Sequence, residues 1–312
     1  MATTGDKRGY VANKYSIQID GSDAGWLHSI EGGGPSSEVV TEKLGPDHVA
    51  KKHITGVKYE DITVTCGTGM SDQFYKWIHD SFQHKYSRKD GRISRADYNY
   101  HEMTAINFHK ALIAEVGLPG LDASSKDAAK MSIKFSPEWT RMERGYSTST
   151  PIKGTYKQQV QKAWLTSNFR LSIKGLDSDC SRITKIEALT VKQKNIENPI
   201  GQTRDYEREP ASVEFPNLVV TVPESHSDQF YTWLESFVVK GQSGDDKELT
   251  GTLEYLSNDL QTPLFEVKFD HLGIFKITQD KMDSGSDAIA KVKVEMYCET
   301  MDFEWKPAGK FA

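Results

Sequence analysis

The heptapeptide Ser71-Asp-Gln-Phe-Tyr-Lys-Trp77 returns as Ser227-Asp-Gln-Phe-Tyr-Thr-Trp233, six of seven residues unchanged and 156 positions further on. Long-period self-similarity constrains architecture more than any single motif, because it implies one structural unit built twice. Three further anchors keep the same order. YSIQIDG (15–21) aligns with FRLSIKG (169–175), YEDITVTC (59–66) with FPNLVVTV (215–222), and DASSKDAAKMSIKF (122–135) with DSGSDAIAKVKVEM (283–296). The offset drifts from 154 to 161, as small loop insertions would make it do. At 312 residues the chain also exceeds what one hydrophobic core usually spans. The expected organisation is an N-terminal arm (1–14), a first domain (15–142), a linker (143–168), a second domain (169–306) and a short tail (307–312).

Each copy reads as mostly β. YSIQI and FRLSI alternate apolar and polar residues and stop at a glycine, the pattern of a half-buried strand entering a turn. DITVTC and NLVVTV are β-branched and equally bounded. The repeated heptapeptide opens a helix: Ser71 or Ser227 suits the N-cap, and Asp72 or Asp228 the positive end of the helix dipole. Phe74, Trp77, Ile78 and Phe82 in one copy, and Phe230, Trp233, Leu234 and Phe237 in the other, then recur at helical spacing. Phe74, Trp77, Phe230 and Trp233 are the expected core anchors. The fold class is α+β, mostly β: two tandem β-barrel or sandwich domains, each with a flanking helix. Glu31 to Lys52, polar and extended with a glycine-rich start, reads as a long loop that is either mobile or used for contact.

Composition narrows function by exclusion. Lys and Arg number 39 against 44 Asp and Glu, too balanced for a chain whose main task is gripping nucleic acid. The acidic surplus falls in the second copy. No apolar run is long enough to cross a bilayer, and the N-terminus lacks a secretory pattern. Cys66, Cys180 and Cys298 lie far apart and read as small apolar core residues, not metal ligands.

No catalytic signature emerges. His101 and His109 lack metal spacing, and Cys66-Gly-Thr-Gly-Met-Ser71 lacks the phosphate-loop pattern. Glu60-Asp61 and Asp245-Asp246 fall at turns, where carboxylates are common. Neither a catalytic residue, a metal nor a cofactor is expected.

The order of elements carries a resemblance. An Ile-x-Ile-Asp-Gly strand, a polar glycine-rich stretch, the strand region HITGVKYEDITVTCG and a Ser-capped Trp helix come first. The basic turn Arg88-Lys-Asp-Gly-Arg92 and the segment FHKALIAEVGLPGLDASSKDAAKMSIKFSPE follow. This order resembles the tail-tube proteins of phages and the inner-tube proteins of bacterial contractile injection systems, over about 15–142 and more weakly over 169–303. Tube subunits usually have one such domain; this chain has two.

The resemblance implies a structural subunit that joins neighbours through inter-subunit β-sheets into a ring or tube with a central channel. Inter-ring or inter-subunit contacts would fall in the loop Glu31 to Lys52 and in its implied counterpart from Glu187 to about Arg208, at Glu31, Gly33, Ser37, Glu42 and Lys51 and at Lys192, Lys194, Asn198 and Arg204. Its implied partners are further copies of itself in trimeric or hexamer-equivalent rings, sheath, baseplate or tail-terminator proteins, and DNA or protein cargo in the lumen, with no membrane. The location would be a virion tail or an injection particle assembled in the bacterial cytoplasm. Alternatives are a trimeric baseplate hub or tube-initiating adaptor with pseudo-sixfold symmetry and, more distantly, a carbohydrate-binding or hydrolytic β-domain of a baseplate.

Overall fold

The computed structural model describes residues 14–43, 45, 48–144, 151–152, 164–203, 205–280 and 289–305. The expected arm (all but Lys14), the tail, much of the expected linker and Arg204 lie outside the described residues.

The first module contains β1 (Lys14–Ile19), β2 (Ser22–Gly32), β3 (Pro35–Glu42), β4 (Lys51–Tyr59), β5 (Ile62–Cys66) and α1 (Asp72–Phe82). It continues with β6 (Lys89–Ala96), β7 (Glu102–Leu118), β8 (Leu121–Asp122), β9 (Met131–Ser136) and β10 (Trp139–Arg144). The second contains β11 (Phe169–Ile173), α2 (Asp177–Cys180), β12 (Lys185–Ile186), β13 (Leu189–Asn198), β14 (Glu207–Glu214) and β15 (Leu218–Pro223). After α3 (Asp228–Leu234) come β16 (Leu249–Leu256), β17 (Pro263–Gln279) and β18 (Lys291–Trp305).

In the first module, β7, β6, β1, β2, β5 and β9 pair in that order, and β9 returns to β7, closing a six-stranded barrel. The hairpin from β1 to β2 turns on Asp20 and Gly21, both at positive φ (48° and 77°), which matches the right-handed strand twist. The alternation expected for YSIQI holds: Ile17 and Ile19 point into the core and are fully buried. Phe74 and Trp77 on α1 are buried with Phe108 and Phe135, Trp77 lying 5.6 Å from the Phe135 ring. The Trp77 indole N–H donates to the Ser87 carbonyl at 3.1 Å, so the ring is buried without leaving its polar atom unpaired.

The second module repeats this plan with one replacement. Its seven-stranded sheet runs β11-β16-β17-β18-β15-β12-β8 and does not close among the described residues, because α2 stands in the chain where the first half of β2 stands in the first module. The ladders match in detail. Gly91 of β6 lies opposite Phe108, beside a bulge at Lys110 (φ 50°); Gly251 of β16 lies opposite Phe269, beside a bulge at His271 (φ 56°). β7 and β17 are both 17 residues long.

Three sequence expectations need correction. Glu31 to Lys52 is not a loop: β3 and β4 form an antiparallel two-stranded sheet, and β13 with β14 forms its counterpart. β3 is exposed along almost its whole length, so its sequence carries no apolar alternation, whereas β13 buries Leu189, Val191 and Gln193 on one face. Ser71 caps α1 by accepting from the Phe74 amide at 3.3 Å, but Ser227 makes no such bond. Its hydroxyl donates to the Glu224 carbonyl, and the carboxylate of Asp179 accepts from the Gln229 amide at 2.8 Å instead. Finally, the expected linker is structured at both ends. Glu143 and Arg144 belong to β10, and Trp164 is buried against Tyr255 and Phe265.

Candidate assembly interface

The two modules join by exchanging strands. β13 of the second module pairs with β7 of the first, from Lys192 opposite Glu115 to Leu189 opposite Leu118. β8 of the first module pairs with β12 of the second, Leu121 opposite Ile186 and Asp122 opposite Lys185. Both ladders keep one register, so Glu115–Asp122 and Lys185–Lys192 form a single antiparallel seam interrupted only around Gly120. A side chain at Gly120 would press on the Ala188 amide and the Ile186 carbonyl, each 3.4 Å from its Cβ position. The seam satisfies backbone groups that both sheets would otherwise leave as open edges.

Aromatic packing closes the same junction from the side. α1 lies on the end of β18: Tyr75 stacks on Phe303 (6.1 Å, 19° between planes) and on Trp305 (6.3 Å, 24°). Phe82 contacts Phe303 and Phe215. The His79 Nδ1–H donates to the Phe303 carbonyl at 2.8 Å and lies 3.4 Å from Asp302.

A polar knot seals the third side. Glu138, only 6% exposed, takes Lys110 at 3.2 Å and the Arg208 amide at 3.3 Å. Arg88 donates to the Arg208 carbonyl at 2.9 Å and pairs with Glu209 at 2.7 Å. The Arg208 guanidinium reaches Asp61 at 3.3 Å and the Tyr59 carbonyl at 3.2 Å. Buried carboxylates need such complete partnering to be tolerated.

The second module offers the matching surfaces without a cover. Beyond Leu272, the edge of β17 opposite β18 has no strand partner among the described residues, and Phe275 is 39% exposed. Near its bulge, His271 donates through Nδ1 to Glu248 at 2.7 Å, with Tyr297 donating to the other oxygen of that carboxylate. Bonding to Glu248 raises the His271 pKa; burial, then Glu248, raise that of Tyr297. Glu248, His271 and Glu299 bring their ligand atoms within 4.8 Å of one another, a donor set a cation could use. Both oxygens of Glu248 already accept internal hydrogen bonds. The β3–β4 hairpin pairs with no third strand among the described residues, and Val39 (60%) and Ile54 (65%) are exposed on it.

The residues expected from sequence to make contacts divide between these surfaces. Glu31 ends β2 next to the unpaired hairpin, Ser37 and Glu42 lie on β3, and Lys51 opens β4. Gly33, at φ 82°, donates no side chain; its carbonyl accepts from Thr140 at 2.8 Å. Lys192 is in the internal seam, whereas Lys194 and Asn198 lie further out on β13. Sequence reading did not find the junction groups Tyr75, Phe82, Arg88, Glu138, Arg208 and Phe303. The heptapeptide was a signal for Tyr75, since it repeats a second large aromatic beside the core Phe.

The first module is thus a closed barrel of six strands that passes a short strand, β8, to the second module and receives the β13–β14 hairpin in return. Residues 11–139 match the family described as the T4-like virus tail tube protein gp19, and the match spans about two-fifths of the chain. Similar solved structures include a chain of the sheath-tube complex of PVC, an extracellular contractile injection system, in its extended state. It is 18% identical over 46% of this chain and 99% of that one, with a TM-score of 0.40. A chain of the anti-feeding prophage tube-terminating cap is 18% identical over 46% and 100%, with a TM-score of 0.40. Hcp1 from Flavobacterium johnsoniae is 14% identical over 43% and 99%, with a TM-score of 0.28. None of the curated proteins matches. No helix among the described residues is long and apolar enough to cross a membrane.

Proposed function

We propose that this chain is a structural subunit that assembles into a ring with a central channel in a phage tail or a contractile injection particle, and that its two modules are tandem copies of one tube domain. The observation that carries this reading is the internal seam between Glu115–Asp122 and Lys185–Lys192. It is a head-to-tail contact, made by one surface of the first module and a different surface of the second. Heterologous contacts of this kind propagate until a rotation closes them. Six modules in a closed ring correspond to three chains.

The partners on this reading are further copies of the chain, then sheath, baseplate or terminator proteins, with DNA or protein cargo in the lumen. No catalytic step is assigned to any residue. A hub or adaptor role is favoured over a uniform tube by one feature: the first module closes its barrel and the second replaces half a strand with α2. A ring of three such chains alternates two module types and so presents threefold symmetry on a sixfold plan. Sedimentation of the purified protein followed by negative-stain microscopy tests the proposal. Rings or stacked tubes are expected; a species that remains a single chain at high concentration would count against self-assembly.

A further inference from the structure

The internal junction can be compared position by position with the surfaces left open. Both hairpins carry a bulge at the same place, between Ser37 and Val39 in one and between Gln193 and Asn195 in the other. Matched through their ladders, Lys52 and His53 of β4 stand where Arg208 and Glu209 stand in β14. Glu248, His271 and Glu299 stand where Arg88, Lys110 and Glu138 stand. Along the helices and terminal strands, Glu235 takes the place of His79, Arg141 that of Asp302, and Met142 that of Phe303.

At two contacts the acidic and basic partners therefore change places. Inside the chain, Arg88 meets Glu209 at 2.7 Å and His79 meets Asp302 at 3.4 Å. At the open surfaces the residues in the corresponding positions are Glu248 and His53, and Glu235 and Arg141; within the chain Glu248 already accepts from His271 and Tyr297, and Glu235 pairs with Lys240 at 2.9 Å. Apolar burial follows the same rule: Phe303 is fully buried, while Met142 is 51% exposed, and Val238, beside Glu235 on the turn after α3, is 48% exposed.

We propose that the open edge of β17 receives the β3–β4 hairpin of a second copy of this chain, and that the exchanged charges make this contact chemically distinct from the internal one. Lys52 and His53 of the arriving hairpin sit over Glu248 and Glu299, and Arg141 of the arriving copy meets Glu235. A second-module hairpin on the same edge would set Glu209 against Glu248, and a first-module hairpin on β7 would set His53 against Arg88. Two carboxylates facing each other, or two hydrogen-bond donors with no acceptor between them, disfavour the wrong pairing in a desolvating contact. Chains thus add in one order, first module onto second, and a hairpin released from its own junction cannot cap a neighbour's edge. Pro35 fits this assignment only in part. Gly34 accepts the Glu60 amide, so the nitrogen of Pro35 faces the arriving edge and one seam hydrogen bond is missing there.

The inference rests on the ring reading above, and charge reversal in the full chain separates the two. One variant carries Glu235→Lys and Glu248→Lys; a second carries Lys52→Glu, His53→Glu and Arg141→Glu; a third carries all five. Folding is checked by circular dichroism, and Glu235→Lys alone, at an exposed site, serves if Glu248→Lys perturbs the core. The first two should need at least about tenfold more protein to assemble than the wild type, and the third should recover. If the wild type forms rings and the reversed variants form them equally well, the charge assignment is overturned while the ring reading stands. If wild-type assembly instead requires a divalent cation and is lost in EDTA, Glu248, His271 and Glu299 hold a metal and the assignment also falls. A wild type that forms no rings overturns both.

Discussion

Tyr75, on the helix of the first module, stacks on Phe303 near the end of the second module's last strand, the two ring planes inclined by 19°. Each is also tied to its own module: the Tyr75 hydroxyl donates to the Thr68 carbonyl at 2.7 Å, and Phe303 packs on Phe265. Together with Phe82 and Trp305 they join two sheets into one continuous apolar core. The two modules thus share one apolar core.

Phe303→Ala should destabilise the whole chain by about 3–5 kcal/mol, the range for removing a buried phenylalanine. Chemical denaturation should show a single transition, before and after the change, because both modules lose the same contact. Two separated transitions in the wild type would show that the modules unfold independently.

Gly91→Ala should also be severe, by about 2 kcal/mol or more. A Cβ there would lie 2.2 Å from Cζ of Phe108 and 2.3 Å from the Gln18 carbonyl, and Phe108 is fully buried with nowhere to move. Gly201→Ala is the control. No atom lies within 4 Å of its Cβ position, and midpoint stability should stay within about 0.5 kcal/mol of wild type.

The three cysteines should be inert in the native protein. All are buried, and burial pushes each thiol up to about 12, so almost no thiolate exists at pH 8. An aromatic disulfide reagent should register no rapid reaction until denaturant is added, and then three thiols per chain. A fast-reacting thiol in the folded state would place one of them at an opening the structure does not have.

His271 should titrate above the ordinary histidine value, because Glu248 accepts its Nδ1–H and favours the charged ring. A folded pKa above the unfolded one means that this bond's stabilisation is fully present below the unfolded pKa. It is lost as the pH rises through the folded pKa. Proton NMR of wild type and Glu248→Gln should show the His271 midpoint falling in the variant. An unchanged midpoint would remove Glu248 as the cause.

Much of the plan was legible in the sequence, for a physical reason in each case. Strands such as β1 and β5 bury one face, so Ile17 and Ile19 or Val64 and Cys66 alternate with polar neighbours. Phe74 and Trp77 were legible because helical spacing gathers them on one side of α1. The β3–β4 hairpin was not, since β3 is exposed along almost its whole length and leaves no periodicity to read; in β13 the alternation covers only Leu189, Val191 and Gln193 before the strand runs out into solvent. Ser227 misled because Asp179, 48 residues earlier in the chain, takes over its capping bond. The junction was hidden for a related reason. Which edge meets which is decided by registers such as Val191 opposite Val116, and each of those strands looks ordinary alone.

The central claim is that one chain supplies two successive positions in a closed ring, and the number of chains in that ring tests it most directly. Native mass spectrometry of the assembled protein, with class averages from electron microscopy of the same sample, gives the count. Three chains per ring and six lobes alternating in shape are expected. Six chains per ring, or lobes contributed one per chain, would contradict the account.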